Sequence, residues 1–236
     1  MSAARRRPLL SVLVAMVTAA AFVLVGHALL GTVTAPAPAA TGSVAASDLL
    51  IAWRRSLTTS WSVDEVITRT TTNGRVLTFQ VHRAQRPPDH LVVGLGNVDI
   101  RTGDRETACA TSLAGGQPCR SSAAPAFAGV VDGQVADLSR IVSGPFALYS
   151  LREELRAEPG PSGPGRAECF DLTLRLSSYP SPPYGRLASL CFDPSTGAPA
   201  GSTVQTEQSM DRTIVTARHA PALVADLVPP AGITVG

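Results

Sequence analysis

From residue 61 onward, apolar and polar positions alternate over short runs, the period of half-buried β-strands. The run WSVDEVITRTT, residues 61–71, leads into Asn73-Gly74, a two-residue hairpin signal. RVLTFQVHRA returns with Leu77, Phe79 and Val81 on one side and Thr78, Gln80 and His82 on the other. RPPD turns the chain again, and HLVVGLG, NVDIRTGD and RETACAT continue as short strands. Helical spacing then interrupts: in DGQVADLSRIVSG, Val135, Leu138, Ile141 and Val142 share a face, and Pro145 stops the run. FALYSLREEL fits a strand about as well as a helix. ECFDLTLRLSS carries Phe170, Leu172 and Leu174 on one face, and RLASLCF carries Ala188, Leu190 and Phe192 on one face. GSTVQTEQS and MDRTIVTARHA end the strands, and a tail follows with apolar Leu223, Val224 and Leu227. Ahead of the strands, Ser47-Asp48 reads as a helix start, with Leu49, Leu50, Trp53 and Leu57 on its apolar face.

One helix, about five strands, a helical insertion and about four more strands make an α+β chain. The short sequential connections predict a meandering antiparallel sheet with helices packed on one face.

The N-terminal pattern is different in kind. MSAARRRP is basic, and Leu9 to Leu30 is a run of 22 residues without a formal charge. At about 1.5 Å per residue such a helix crosses a hydrocarbon core of about 30 Å. Arg5, Arg6 and Arg7 precede it, which predicts a cytoplasmic N-terminus and an extracytoplasmic domain at the plasma membrane. The division expected is a stub and anchor over 1–31, a small-residue linker over 32–46, and a domain over 47–236. The rival is a cleaved signal peptide leaving a secreted domain, since TAPAPAATG holds A-x-A patterns; the run is longer than a usual secretory core.

Four cysteines, Cys109, Cys119, Cys169 and Cys191, all follow the apolar run, and an even count outside the cytoplasm points to disulfides. The triplet Cys-Phe-Asp occurs twice, at 169–171 and 191–193, around the breaker YPSPPYG. A hairpin centred on Pro180 places Cys169 opposite Cys191, so the two triplets are its feet, stapled together. Cys109 then pairs with Cys119 around ATSLAGGQP.

The formal charge of +2 is an average of unlike parts: the first 47 residues hold three Arg and no acid, leaving 17 Arg against 18 acids. A near-neutral domain carries no footprint for nucleic acid. Candidate chemistry is sparse. Gly94-x-Gly96 lacks the third glycine and following helix of a dinucleotide site and reads as a turn. No Cys-x-x-Cys pair supports a metal, and His82, His90 and His219 read as sheet histidines. Neither a cofactor nor an enzymatic activity is expected.

The element order, together with the strand-to-turn phrase SLCFDPSTGAP, resembles the half-barrel of LolA-type lipoprotein carriers. It is similar, too, to the mycobacterial lipid-carrying lipoproteins and to the sensor domain of RseB-type anti-sigma regulators, over about residues 47–230. The resemblance implies a curved sheet whose concave apolar face, covered by helices, accepts acyl chains or a partner's hydrophobic segment. The apolar strand positions offered as lining are Trp61, Val63, Leu77, Phe79, Val81, Leu91, Val93, Phe170, Leu172 and Leu174. Two functions are expected of such a chain: a membrane-tethered domain that binds a lipid or acyl ligand, or an interaction and envelope-sensing domain with a filled core.

Overall fold

The structure, a computed structural model, describes residues 42–110, 119–158 and 165–231. The expected anchor, Leu9 to Leu30, lies outside the described residues, among which no helix is long and apolar enough to cross a membrane.

The first element is helix α1, Gly42–Thr58. It starts five residues ahead of the expected Ser47, because Ala45 and Ala46 are themselves buried beside Leu49, Ala52 and Trp53. Alanine is the best helix former and is small enough to pack closely, so residues expected in the linker belong to the core. The last turn of α1 is well supplied with donors. Trp61 Nε1 donates to the Ser56 carbonyl at 2.8 Å, and Gln85 Nε2 donates to the carbonyls of Ser56 and Thr59.

Six strands follow: β1 Trp61–Thr71, β2 Val76–Arg86, β3 Asp89–Gly94, β4 Asn97–Thr102, β5 Arg105–Ala110 and β6 Cys119–Ala123. The β1–β2 connection differs from the two-residue turn expected of Asn73-Gly74. Thr71 N–H donates to the Arg75 carbonyl, and Gly74 N–H to the Thr71 carbonyl, closing a three-residue loop with Gly74 at φ +79°. Glycine takes that left-handed position without steric cost. Leu95 and Gly96, both at positive φ, make the β3–β4 turn expected from GLGNVD.

Helix α2, Phe127–Val142, also starts five residues earlier than its pattern, which begins at Asp132. Phe127 is held beneath the Arg101 guanidinium, 5.7 Å from the ring centre, and Val131, Leu138 and Val142 are buried. Five strands complete the fold: β7 Tyr149–Glu158, β8 Gly165–Leu174, β9 Leu187–Phe192, β10 Pro199–Gln205 and β11 Ser209–His219. The ambiguous run FALYSLREEL is thus mostly strand. A 3-10 turn, Val224–Leu227, ends the described chain.

All eleven strands join one open, curved antiparallel sheet, ordered β6-β5-β4-β3-β2-β1-β11-β10-β9-β8-β7. The strands form two meanders, β1–β6 and β7–β11, that meet only where β1 pairs with β11. Helix α2 runs from one edge strand, β6, to the other, β7.

The β8–β9 register is the one expected: Cys169 opposes Cys191, Phe170 opposes Leu190, and Leu172 opposes Ala188. Both disulfides are present, Cys109–Cys119 and Cys169–Cys191, each joining directly opposed residues with Cα atoms 4.1 Å apart. Residues 119–123, which no pattern in the sequence marked as a strand, form the edge strand β6.

Candidate functional site

Residues directly opposed in adjacent strands share a face, so register assigns every strand residue to one of two surfaces. On the helix-bearing surface, Tyr149, Leu151, Phe170, Leu172, Ala188, Leu190 and Phe192 interlock with Leu49, Trp53, Leu138 and Val142 of the helices. Trp53 meets Phe192 edge-on at 6.2 Å, and Phe170 lies 6.2 Å from Phe192. Tyr149 accepts from the Tyr184 N–H and donates to the Gly185 carbonyl, pinning the β8–β9 loop to β7.

Tracing the register across the sheet, Leu190 opposes Ser202, Ser202 opposes Thr213, Thr213 opposes Ile67 and Ile67 opposes Phe79. Phe79 therefore lies on the same surface, with Leu77 and Val81 in line along β2. Here the packing thins. Val81 is buried, while Leu77 and Phe79 are only half-buried, leaving an apolar strip open beside the closed core.

The ten expected lining residues divide between surfaces. Phe170 and Leu172 are fully buried under the helices, with Leu174 packed against them. Trp61 and Val63 form a second small core with Ala198 and Val215. Leu77 and Phe79 make the open strip, with Val81 buried at its end. Leu91 and Val93 are the correction, because both lie on the opposite, outer surface: Leu91 opposes Ala84 and Ile100, and Val93 opposes His82 and Val98. In HLVVGLG three apolar residues stand in succession, so alternation could not choose a face; the Leu95-Gly96 turn sets it.

One charged pair is sunk in the helix-bearing surface. Glu65 is 3% exposed, and Arg83 Nε lies 3.0 Å from its Oε2, at ion-pair distance but out of line for a hydrogen bond. Burial pushes the Glu65 carboxyl above the usual carboxylate range, opposed by the Arg83 charge.

The outer surface carries both disulfides and a cluster around His82. The C-terminal residues 220–231 cross β2 and β3, and Leu227 packs on the small core of Leu91, Val98, Ile100 and Cys109. His82 Nδ1 lies 2.7 Å from Asp64 Oδ1, and its Nε2 lies 2.9 Å from the Asp226 carbonyl oxygen. Ser62 Oγ donates to Asp226 Oδ2 at 2.7 Å, and the Leu223 N–H donates to the same oxygen at 2.8 Å. Burial alone would lower the His82 pKa; the Asp226 carbonyl and the Asp64 carboxylate outweigh it and raise the imidazole above its ordinary value. Burial would raise Asp226, but the Ser62 hydroxyl and Leu223 amide hold its carboxyl below the usual range. His82 is a sheet histidine, as expected, with the Asp64 carboxylate beside it. His90 lies on the other surface, opposite Gln85. With one nitrogen on a carboxylate and the other on a main-chain carbonyl, His82 has no position from which to take a nucleophile's proton.

Two clefts open elsewhere. One of about 310 Å³ lies on the outer surface among Arg156, Ser189, Thr203, Met210 and Arg212. The other, about 510 Å³, lies beside the C-terminal segment among Arg86, His90, Ile100, Val224 and Leu227. Ser62, Asp64 and Asp226 were absent from the sequence expectations. Their partners lie far along the chain, and no local spacing announces them.

No protein family and no curated protein matches the sequence. Among solved structures, the chain is similar to MucB, crystallised in complex with MucA(peri), with 23% identity and a TM-score of 0.43. That alignment covers 80% of this chain and 62% of MucB, so the chain spans less than two thirds of the MucB length. An uncharacterised conserved protein from Thermus thermophilus aligns with 13% identity and a TM-score of 0.43, over 79% of this chain and 95% of that one. A LolA superfamily protein from Nitrosomonas europaea aligns with 8% identity and a TM-score of 0.32, over 79% and 98%.

Proposed function

We propose that this chain is a membrane-tethered extracytoplasmic domain that binds rather than catalyses, and that its partner is an apolar segment of another envelope protein. The division of the helix-bearing surface carries the reading. Where α1 and α2 lie, Tyr149, Phe170 and Leu172 are at most 1% exposed, so the volume under the helices is occupied by the chain's own side chains. A small ligand is ordinarily held in a concavity that buries about 70–90% of its surface. The apolar area left is the strip of Leu77 and Phe79, which suits an extended or helical segment laid across it better than an engulfed acyl chain. The two disulfides accord with an oxidising compartment, and Leu9 to Leu30 supplies the tether.

Lipid binding is the second reading, favoured by the apolar character of the same strip, on which a single acyl chain could lie. The test replaces Phe79 by a photo-crosslinking phenylalanine analogue in the full chain in its own membranes. A discrete protein adduct, lost when Leu77→Asp is added, is the expected result. Stoichiometric lipid released into organic solvent from the purified chain, with no protein adduct, would overturn it in favour of the lipid reading.

A further inference from the structure

We propose that residues 220–231 form a strap that opens and closes on the outer surface with the protonation state of His82, shut when the imidazole carries a proton and released when it is neutral. This goes beyond the binding reading above and does not depend on it. The strap's apolar hold is slight: Leu227 packs on the small outer core and Ala222 is buried, while Leu223, Val224 and Val228 are 56%, 68% and 62% exposed. Its polar hold consists of the Ala222 N–H on Ser60 Oγ, the Ser62 hydroxyl on Asp226 Oδ2 and the His82 contact, and of these the His82 contact is the one that changes with the imidazole proton. His82 reaches Asp64 with one nitrogen and the Asp226 carbonyl with the other, and both partners are acceptors. Only the imidazolium donates in both directions. A neutral ring must turn a lone pair toward either the Asp64 carboxylate or the Asp226 carbonyl, so deprotonation removes a charge-assisted bond where the strap is fastened.

The charges facing His82 all work in one direction. Asp64 on β1 and Asp226 on the strap favour the cation, and β3 presents uncharged Val93 opposite the ring. From β11, His219 acts on Asp226 and favours its ionised form. The His82 pKa is raised in the closed state, so closure is complete in acid and is lost as pH climbs through that value, above the ordinary imidazole value of about 6.5. Release bares part of the small core of Leu91, Val98 and Ile100 on the outer surface.

Hydrogen exchange on the full chain tests the proposal. The Ala222 amide is bonded outside the strap, to Ser60 Oγ, and the Leu223 and Asp226 amides close the turn at Asp226, the residue that His82 and Ser62 hold. After correction for the chemical pH dependence of exchange, their protection should fall about tenfold or more between about pH 6 and about pH 8.5, with the β1–β2 amides as internal reference. In His82→Gln, which donates without titrating, the fall should be less than about twofold. Asp64→Asn should move the midpoint to lower pH. No fall in the wild type, the same fall in His82→Gln, or an unmoved midpoint in Asp64→Asn would each overturn the proposal.

Discussion

Replacing Cys169 and Cys191 by alanine should cost more than replacing Cys109 and Cys119, although each pair staples the feet of a hairpin. The separations are 22 and 10 residues. Loop-closure entropy alone assigns about 3.4 kcal/mol to the longer loop and about 2.7 kcal/mol to the shorter. Location widens the gap. Cys169 and Cys191 are both buried, beside Ala167 of β8 and Ala200 of β10, whereas of the outer pair only Cys109 is buried, so truncation leaves the larger packing defect at the inner pair, by about 0.5–1 kcal/mol. Cys119 sits on β6, an edge strand whose five residues are all exposed. Without its staple β6 can fray while the rest of the sheet stands, so much of the loss appears as local opening. Urea unfolding of the two double variants should therefore give about 4 kcal/mol for the inner pair and at most about 2.7 kcal/mol for the outer, with faster exchange at Arg120–Ala123 in the outer variant alone. Equal losses, or a larger loss for the outer pair, would refute the argument.

Phe170→Ala removes the ring at the centre of the helix–sheet core and should cost about 3–5 kcal/mol in the same assay, while exposed Leu155→Ala stays within about 0.5 kcal/mol. A Phe170→Ala loss below about 1 kcal/mol would refute a closely packed core at this ring. Glu65 has a folded pKa above its unfolded value, so its contribution is most favourable in acid and fades as pH rises from the unfolded toward the folded value. Glu65→Gln should therefore gain in melting temperature on the wild type between about pH 4.5 and about pH 7; parallel profiles would show that Arg83 already cancels the burial.

What could be read from the chain was what neighbours in sequence decide. Period-two alternation and the symmetric triplets around Pro180 were enough to place Phe170 against Leu190, because a hairpin's register is local. Helix starts were less legible: Ala45, Ala46 and Phe127 carry no cap and no periodic partner upstream, and their burial comes from surfaces made elsewhere. Leu91 and Val93 went to the wrong surface because their run does not alternate. Strand β6 was missed because its five residues have no buried face and are placed by the disulfide and by pairing with β5. The Asp64–His82–Asp226 cluster joins β1, β2 and the strap, with His82 and Asp226 separated by 144 positions in sequence, a distance over which no spacing rule applies.

The single seam between β1 and β11 has a consequence for the order of assembly. Residue 71 ends one side of that seam and residue 219 the other, so at about 5–20 residues per second the growing chain waits about 7–30 s between them. Throughout that interval β1 is a bare edge, eleven residues long, lying against a first meander that can already form. An unpaired edge of this kind is a template for any passing strand, including β1 of another copy. The nascent protein therefore faces its greatest hazard of joining a neighbour before its own last strand arrives, and a helper that shields β1 would be needed only until residue 219 has emerged.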